Sequence, residues 1–314
     1  MSAAAVLLTF ACAAPADLTF APAAPGYFTF DTGALRGTIR ADGTSEGVVK
    51  LTDAATGAEL ANDPPLPGIL SLYRVFAGPT RFPDARSAPH RAQLNAQKTE
   101  LAIVWEAAPE RPYEIAGRFT LGDARSLDLA LECTAKAPLP AFEVFVSSYP
   151  AMALRHFLFV KDTLHQGGRP DPVLYEPLAA PFLEGCYLAF PRDNAATRLL
   201  FDGRWERPPN PVHFAAGRHY AAPLLGSRNP ESGVSVLLFA RPEDCFALES
   251  TYTRPGGHDS VASHNSLYLS LGGKDLATGE TARFRLRATV AALASHREAL
   301  DLYARWRDGG AAKE

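Results

Sequence analysis

The residues best suited to chemistry sit between Asp202 and Tyr220. Arg204, Trp205 and Glu206 follow one another, and His213, His219 and Tyr220 lie a short distance beyond. Carbohydrate chemistry needs that mixture: a flat aromatic for the apolar face of a sugar ring, a carboxylate to accept a proton and an imidazole to donate one. In this reading Trp205 stacks the ring, Glu206 is the base, and His213 or His219 is the acid, with Arg204 and Tyr220 as donors to sugar hydroxyls. The same residues also fit a plainer arrangement, with Trp205 in the core and Glu206 paired to Arg204 or Arg207 at a wet surface.

A second cluster, Tyr252, Arg254, His258, Asp259, His264 and Asn265, lies in a glycine-containing stretch that reads as a loop lining a site or as a solvated loop. His156 shares the alternating face of Leu154, Leu158 and Val160. That pattern describes a hydrogen-bonded sheet histidine, or a catalytic acid if the face is the ligand-bearing one. Glu206 and Glu249 form the first carboxylate pair to compare for hydrolytic chemistry. Arg283, Arg285 and Arg287 share one face of a late strand, where they either bind acidic saccharides or form a solvated outer surface. Gly-Xaa-Ser-Xaa-Gly, phosphate-loop, His-Glu-Xaa-Xaa-His and Cys-Xaa-Xaa-Cys patterns are all absent from the sequence, so no metal or other cofactor is expected.

The elements that must position these groups are strands. Leu127, Leu129 and Leu131 alternate with Asp128, Ala130 and Glu132, and Leu101, Ile103 and Trp105 behave likewise. In 234–239 both alternating sets are largely apolar, which predicts burial on both faces. Further strands are expected over 35–40, 48–52, 69–76, 113–121, 142–147, 154–160, 186–190, 198–201, 267–271 and 282–290. Asp202-Gly203 predicts a hairpin between 198–201 and 204–206, because both residues tolerate positive φ. Gly122-Asp123, Thr56-Gly57 and Thr278-Gly279 read as turns of the same kind. One helix is expected near the end: Ser295 and Glu298 form a capping box, and Ala299, Leu302, Tyr303 and Trp306 recur at helical spacing. Many short strands and one helix describe an all-β chain, a large antiparallel sandwich.

The 26 Pro and 24 Gly are spread along the whole length, as short turns between strands require. At 314 residues the chain is long enough for a sizeable core without a disulfide framework. A formal net charge of −3 and no long basic run exclude the electrostatic footprint of a nucleic-acid binder. The apolar run from Ala3 to Ala14, ending in small residues, reads as a signal-like leader and predicts a periplasmic or secreted protein. It is too short to span a membrane. The expected division is a leader and linker over 1–24, one domain over 25–308 and a tail over 309–314. Cys133 alternates with leucines and is expected as a buried thiol, whereas Cys186 and Cys245 could pair in an oxidising compartment.

The sequence resembles the galactose mutarotase-like, or supersandwich, carbohydrate-active superfamily. The resemblance rests on Asp31-Thr32-Gly33-Ala34-Leu35 leading into Gly47–Asp53, on Thr56-Gly57-Ala58-Glu59-Leu60, and on Leu269-Ser270-Leu271-Gly272-Gly273-Lys274-Asp275-Leu276 followed by Thr278-Gly279-Glu280-Thr281. It covers most of residues 26–308. It implies a carbohydrate ligand in a cleft on the concave face of the larger sheet. It also implies one of several activities: anomer exchange, polysaccharide elimination or hydrolysis, or binding alone. The sequence departs from sugar epimerases of this fold in lacking an early Asn-Arg pair and a His-Pro-Tyr-Phe segment. A non-catalytic glycan-binding module and a partner-binding sandwich therefore stand beside the enzyme as expectations.

Overall fold

Strands account for nearly every element, and they pair as the alternation predicts. The structure is a computed structural model that describes residues 18–43, 46–61, 67–161, 172–176, 187–206, 214–215, 218–251 and 265–309. Its largest sheet has nine strands, in the order Val173–Tyr175, Arg155–Val160, Tyr220–Arg228, Val234–Ala240, Thr281–Ala292, Ser126–Ala135, Tyr113–Asp123, Glu100–Trp105 and His90–Leu94. A seven-stranded sheet runs Phe214–Ala215, Tyr187–Pro191, Cys245–Thr251, Leu267–Leu276, Leu139–Ser148, Ser71–Ala77 and Thr80–Arg81. Ala21–Ala24, Tyr27–Asp31, Leu35–Arg40 and Gly47–Asp53 form a four-stranded meander. Pairing is antiparallel except between Tyr187–Pro191 and Phe214–Ala215.

The main core lies between the two large sheets. Leu127, Leu129, Leu131 and Cys133 from the nine-stranded sheet meet Val144, Val146, Leu269 and Leu271 from the seven-stranded one. Phe20, Phe30, Leu35 and Val48 extend this core into the meander. Phe20 is buried and Ala21–Ala24 is a paired strand, so the folded unit takes in residues that the expected boundary at 25 assigns to a linker. Burying each such side chain stabilises the fold by about 1.5–3 kcal/mol.

A helix covers part of the nine-stranded sheet's outer face. This helix, α2 (Glu298–Gly309), buries Ala299 and Tyr303 against Phe157, Phe159, Leu237 and Phe239. Val234–Ala240 is accordingly buried along its whole length, as its two apolar sets predict. The Glu298 carboxylate accepts from the backbone N–H of Ser295 at 3.2 Å and of Ala294 at 3.3 Å, which fixes the helix start.

The expected hairpin at Asp202-Gly203 does not form. Residues 198–200 belong instead to a short helix, α1 (Asn194–Leu200), which Asp193 caps by accepting from the Ala196 N–H at 2.8 Å. Ala, Arg and Leu within it favour the helix, and Ala196 and Leu200 bury one side of it. Gly203 then takes φ +96°, and the Asp202 carboxylate accepts from the Arg204 N–H at 3.0 Å, so the pair ends a helix rather than joining two strands.

Candidate functional site

The outward face of the seven-stranded sheet gathers buried polar groups that strict alternation would scatter. Three bulges are responsible. The pairing of Leu139–Ser148 with Leu267–Leu276 shifts between Leu139 and Phe142, where three steps along the first strand oppose two along the second, so that both of these residues face the core. Glu143 then points outward while Phe142 stays in the core. In Cys245–Thr251 the shift between Cys245 and Ala247 leaves Phe246 extra. Cys245 and Leu248 therefore face the core, while Ala247 and Glu249 face out. In Ser71–Ala77 a third shift, opposite Phe145 and Val146, turns both Tyr73 and Arg74 outward. Bulges re-aim side chains in this way and are enriched beside functional sites.

At the centre, Glu143 and Glu249 meet on one hydroxyl. Ser270 Oγ lies 2.8 Å from Glu143 Oε1 and 2.8 Å from Glu249 Oε1. A hydroxyl has a single proton to donate, so one carboxyl must be protonated and donate in return. Glu143 is the charged member, because Arg204 Nη1 donates to its Oε2 at 2.7 Å and both side chains are fully buried. Burial raises the Glu143 carboxyl, and the Arg204 charge opposes that shift. Among the described residues Glu249 touches no cation. Burial first, and the Glu143 charge second, hold its carboxyl well above the usual range. The resulting chain runs from the Glu249 acid through Ser270 to the Glu143 carboxylate and the Arg204 guanidinium. Among the described residues, the buried Glu249 Oε2 has no hydrogen-bond partner.

Around this chain lies an aromatic and cationic shell. Phe145 stacks on Tyr268 with centroids 4.7 Å apart, and Trp205 packs on Phe145 at 4.7 Å and on Phe76 at 4.8 Å. Arg86 and Arg74 stand over the Tyr73 ring at 3.9 and 4.4 Å. Arg86 also donates to the Ser147 hydroxyl, and Arg74 Nη2 donates to the Tyr73 hydroxyl at 2.8 Å.

Of the residues expected from sequence, Arg204 and Trp205 join this cluster with altered roles. Every nitrogen of the Arg204 guanidinium is engaged by Asp202, Glu143 or the Ala141 carbonyl, so it holds the carboxylate in place instead of offering donors to a ligand. Trp205 is 3% exposed and belongs to the packed aromatic cluster, while Glu206, next to it, is exposed. The two therefore do not share one ligand-facing surface. His219 and Tyr220 lie on the other sheet. His219 is half-buried, and the Tyr220 hydroxyl donates to the Cys245 carbonyl at 2.6 Å inside the main core. His156 faces that core too, where its Nδ1 lies 2.9 Å from Ser250 Oγ. His213, Tyr252, Arg254, His258 and His264 lie outside the described residues.

Glu249 pairs with Glu143, not with Glu206. Sequence reasoning missed Glu143, Ser270, Tyr73, Arg74 and Arg86. The buried cluster also lies on the seven-stranded sheet, not the larger one. The outer face of the nine-stranded sheet is covered in part by α2 and carries an ion-pair lattice that includes Arg283 with Glu132 and Arg287 with Asp128. Cys133 and Cys245 are buried free thiols, and Cys186 lies outside the described residues. Among the described residues no helix is long and apolar enough to cross a membrane.

No family model matches the chain, and no curated protein matches it. Solved structures do. A galactose mutarotase related enzyme from Lactobacillus acidophilus aligns with a TM-score of 0.51 at 10% identity, over 86% of this chain and 99% of its own. A Synechocystis protein aligns at 0.49 and 12% identity, over 84% of this chain and 95% of its own. An aldose epimerase homologue from C. elegans aligns at 0.47 and 9% identity, over 84% and 98%. The fold assignment rests on the first of these together with the two packed antiparallel sheets. The chain has the galactose mutarotase-like supersandwich fold.

Proposed function

We propose that the protein binds a saccharide at the outward face of the seven-stranded sheet and performs acid–base chemistry on it through Glu249. The observation that carries this reading is the shared hydroxyl of Ser270, which requires one protonated and one charged carboxyl 2.8 Å from the same oxygen. A sugar hydroxyl presented to Glu249 Oε2 would give that atom its proton. Glu249 Oε1 would pass its own proton to Ser270, and Ser270 would pass one to Glu143. The net result is an activated sugar oxygen and a neutral Glu143, with Arg204 unchanged. Tyr73 and Arg86, the members of the shell nearest the surface, offer a ring face and guanidinium donors to ring hydroxyls.

The fold supports a sugar ligand as well, since the Lactobacillus neighbour is described as a galactose mutarotase related enzyme. Glu206 stays in the proposal as a surface residue adjoining the cluster through Trp205, and export rests on the apolar run from Ala3 to Ala14.

A second reading, a glycan-binding module without turnover, draws on the complete burial of Glu143, Glu249 and Ser270. One experiment separates the two. Wild type and Glu249→Gln are compared for anomer exchange and bond cleavage by NMR across a saccharide panel, with binding measured in parallel. Turnover that falls by at least about a hundredfold with binding retained supports catalysis. Binding without turnover in the wild type supports the module, and turnover unaffected by Glu249→Gln removes Glu249 from the chemistry.

A further inference from the structure

On the opposite layer of the sandwich, cavities of 480 and 300 Å³ lie between the nine-stranded sheet and the C-terminal half of α2. Both are lined by Arg287, Arg305 and Trp306, so they are two compartments of one elongated groove. The larger compartment presents Arg118, Arg241, Arg285, Arg287 and Arg305. Glu100 and Asp128 line it with them, and from its rim Asp123 reaches Arg287 at 3.3 Å and Glu132 reaches Arg118 at 4.0 Å. The exposed carbonyl end of α2 contributes roughly half a negative charge. Arg241 donates to the Arg307 carbonyl there and offsets it.

The lattice absorbs part of the positive charge. Arg287 pairs with Asp128 at 2.6 Å and Arg118 with Glu100 at 3.2 Å. Arg305 makes no ion pair among the described residues, and the Arg241 guanidinium lies 4.8 Å from the Trp306 ring centroid. Among the described residues, two cations without a carboxylate at ion-pair distance thus flank the indole that lines both compartments. Guanidinium groups match carboxylates and sulfates through paired N–H donors, and an indole wall suits the apolar edge of a sugar ring.

We propose that this groove binds an anionic oligosaccharide, one that carries carboxylate or sulfate groups along its length. The saccharide part rests on the carbohydrate reading above; the preference for anions rests on the groove alone.

The test titrates the full chain by calorimetry with a tetragalacturonate, a neutral tetrasaccharide and tripolyphosphate, at low and moderate salt. Arg305 is exposed, so Arg305→Glu should fold, and thermal unfolding checks this. Tetragalacturonate affinity is expected to fall at least about tenfold in Arg305→Glu, to be largely kept in Arg305→Lys, and to weaken with salt as screening predicts. The neutral tetrasaccharide should not compete. Affinity unchanged in Arg305→Glu, absence of binding by folded wild type, or equal binding of tripolyphosphate would each overturn the proposal. Glu249→Gln should leave tetragalacturonate binding intact. Loss of binding in that variant would move the acidic ligand to the seven-stranded sheet and overturn the groove. Failure of the Glu249 turnover test with groove binding preserved would count only against the function proposed above.

Discussion

Glu249 Oε1 lies 2.8 Å from Ser270 Oγ, and that hydroxyl is committed to Glu143, so Glu249 is a neutral acid in the folded protein. The pH dependence follows. Its folded pKa is raised, by burial first and then by the Glu143 charge, above the unfolded carboxyl value of 4.5. The stability tied to the bound proton is complete below that value and is lost as pH rises through the folded pKa.

Glu249→Gln removes this titration and keeps the shape. Relative to wild type, the variant should gain stability with rising pH above 4.5, by about 1.4 kcal/mol per pH unit within the window. Urea unfolding between pH 5 and 8 measures it. A constant difference across that range would mean that Glu249 ionises normally.

Arg204 and Glu143 are both fully buried, so removing one partner strands the other. Arg204→Met is expected to cost about 3–5 kcal/mol, most of it from the uncompensated carboxylate. Adding Glu143→Gln to that variant should recover a substantial part of the loss. A double-mutant cycle by chemical denaturation reads the coupling, and strictly additive losses would show that the pair is not linked.

The contrast between what the sequence revealed and what it hid turns on period two. Leu127–Cys133, Val234–Phe239 and the Ala299–Trp306 stripe repeat without interruption, and the structure places them as expected. Glu143, Glu249 and Arg74 stand where the repeat breaks. In Cys245-Phe246-Ala247-Leu248-Glu249, unbroken alternation would put Glu249 on the core face with Cys245, and the bulge at Phe246 reverses it. A strand that contains a bulge has no clean pattern to read, and the site is built from three of them. Gly272-Gly273 is a visible signal only of the further bulge opposite Glu143, since paired glycines inside a strand often mark one. The polar stretch around Arg204–Tyr220 is the more conspicuous feature of the sequence, although Arg204 and Trp205 pack on one sheet and Tyr220 belongs to the other.

Gly272 pairs with Glu143 across the sheet, beside a bulge in its own strand, and tests whether that bulge holds Glu143 in place. Its φ is +96°, and an added Cβ would meet the Phe142 carbonyl oxygen at 2.6 Å. Gly272→Ala should therefore destabilise the protein by about 1–3 kcal/mol through backbone strain alone. If the bulge positions Glu143, this variant should also lose saccharide turnover out of proportion to its stability at a temperature where it is folded. Normal turnover in a destabilised but folded variant would separate the bulge from the site.

Asp244 offers a pH test away from the carboxyl pair. Burial pushes its carboxyl up to about 6, against a hydrogen bond donated by the Arg285 N–H at 3.2 Å, and neighbouring Glu243 adds to the rise. Between 3.8 and about 6 the folded protein holds a proton that the unfolded chain has released. The associated stability is whole below that interval and declines across it. Asp244→Asn should therefore gain on wild type as pH rises from 4 to 6 and hold a fixed difference above that. Carbon-detected NMR of the Asp244 carboxyl should give a midpoint near 6. A midpoint near 4 would mean that solvent reaches the carboxyl, and the stability difference should then stay flat across the same interval.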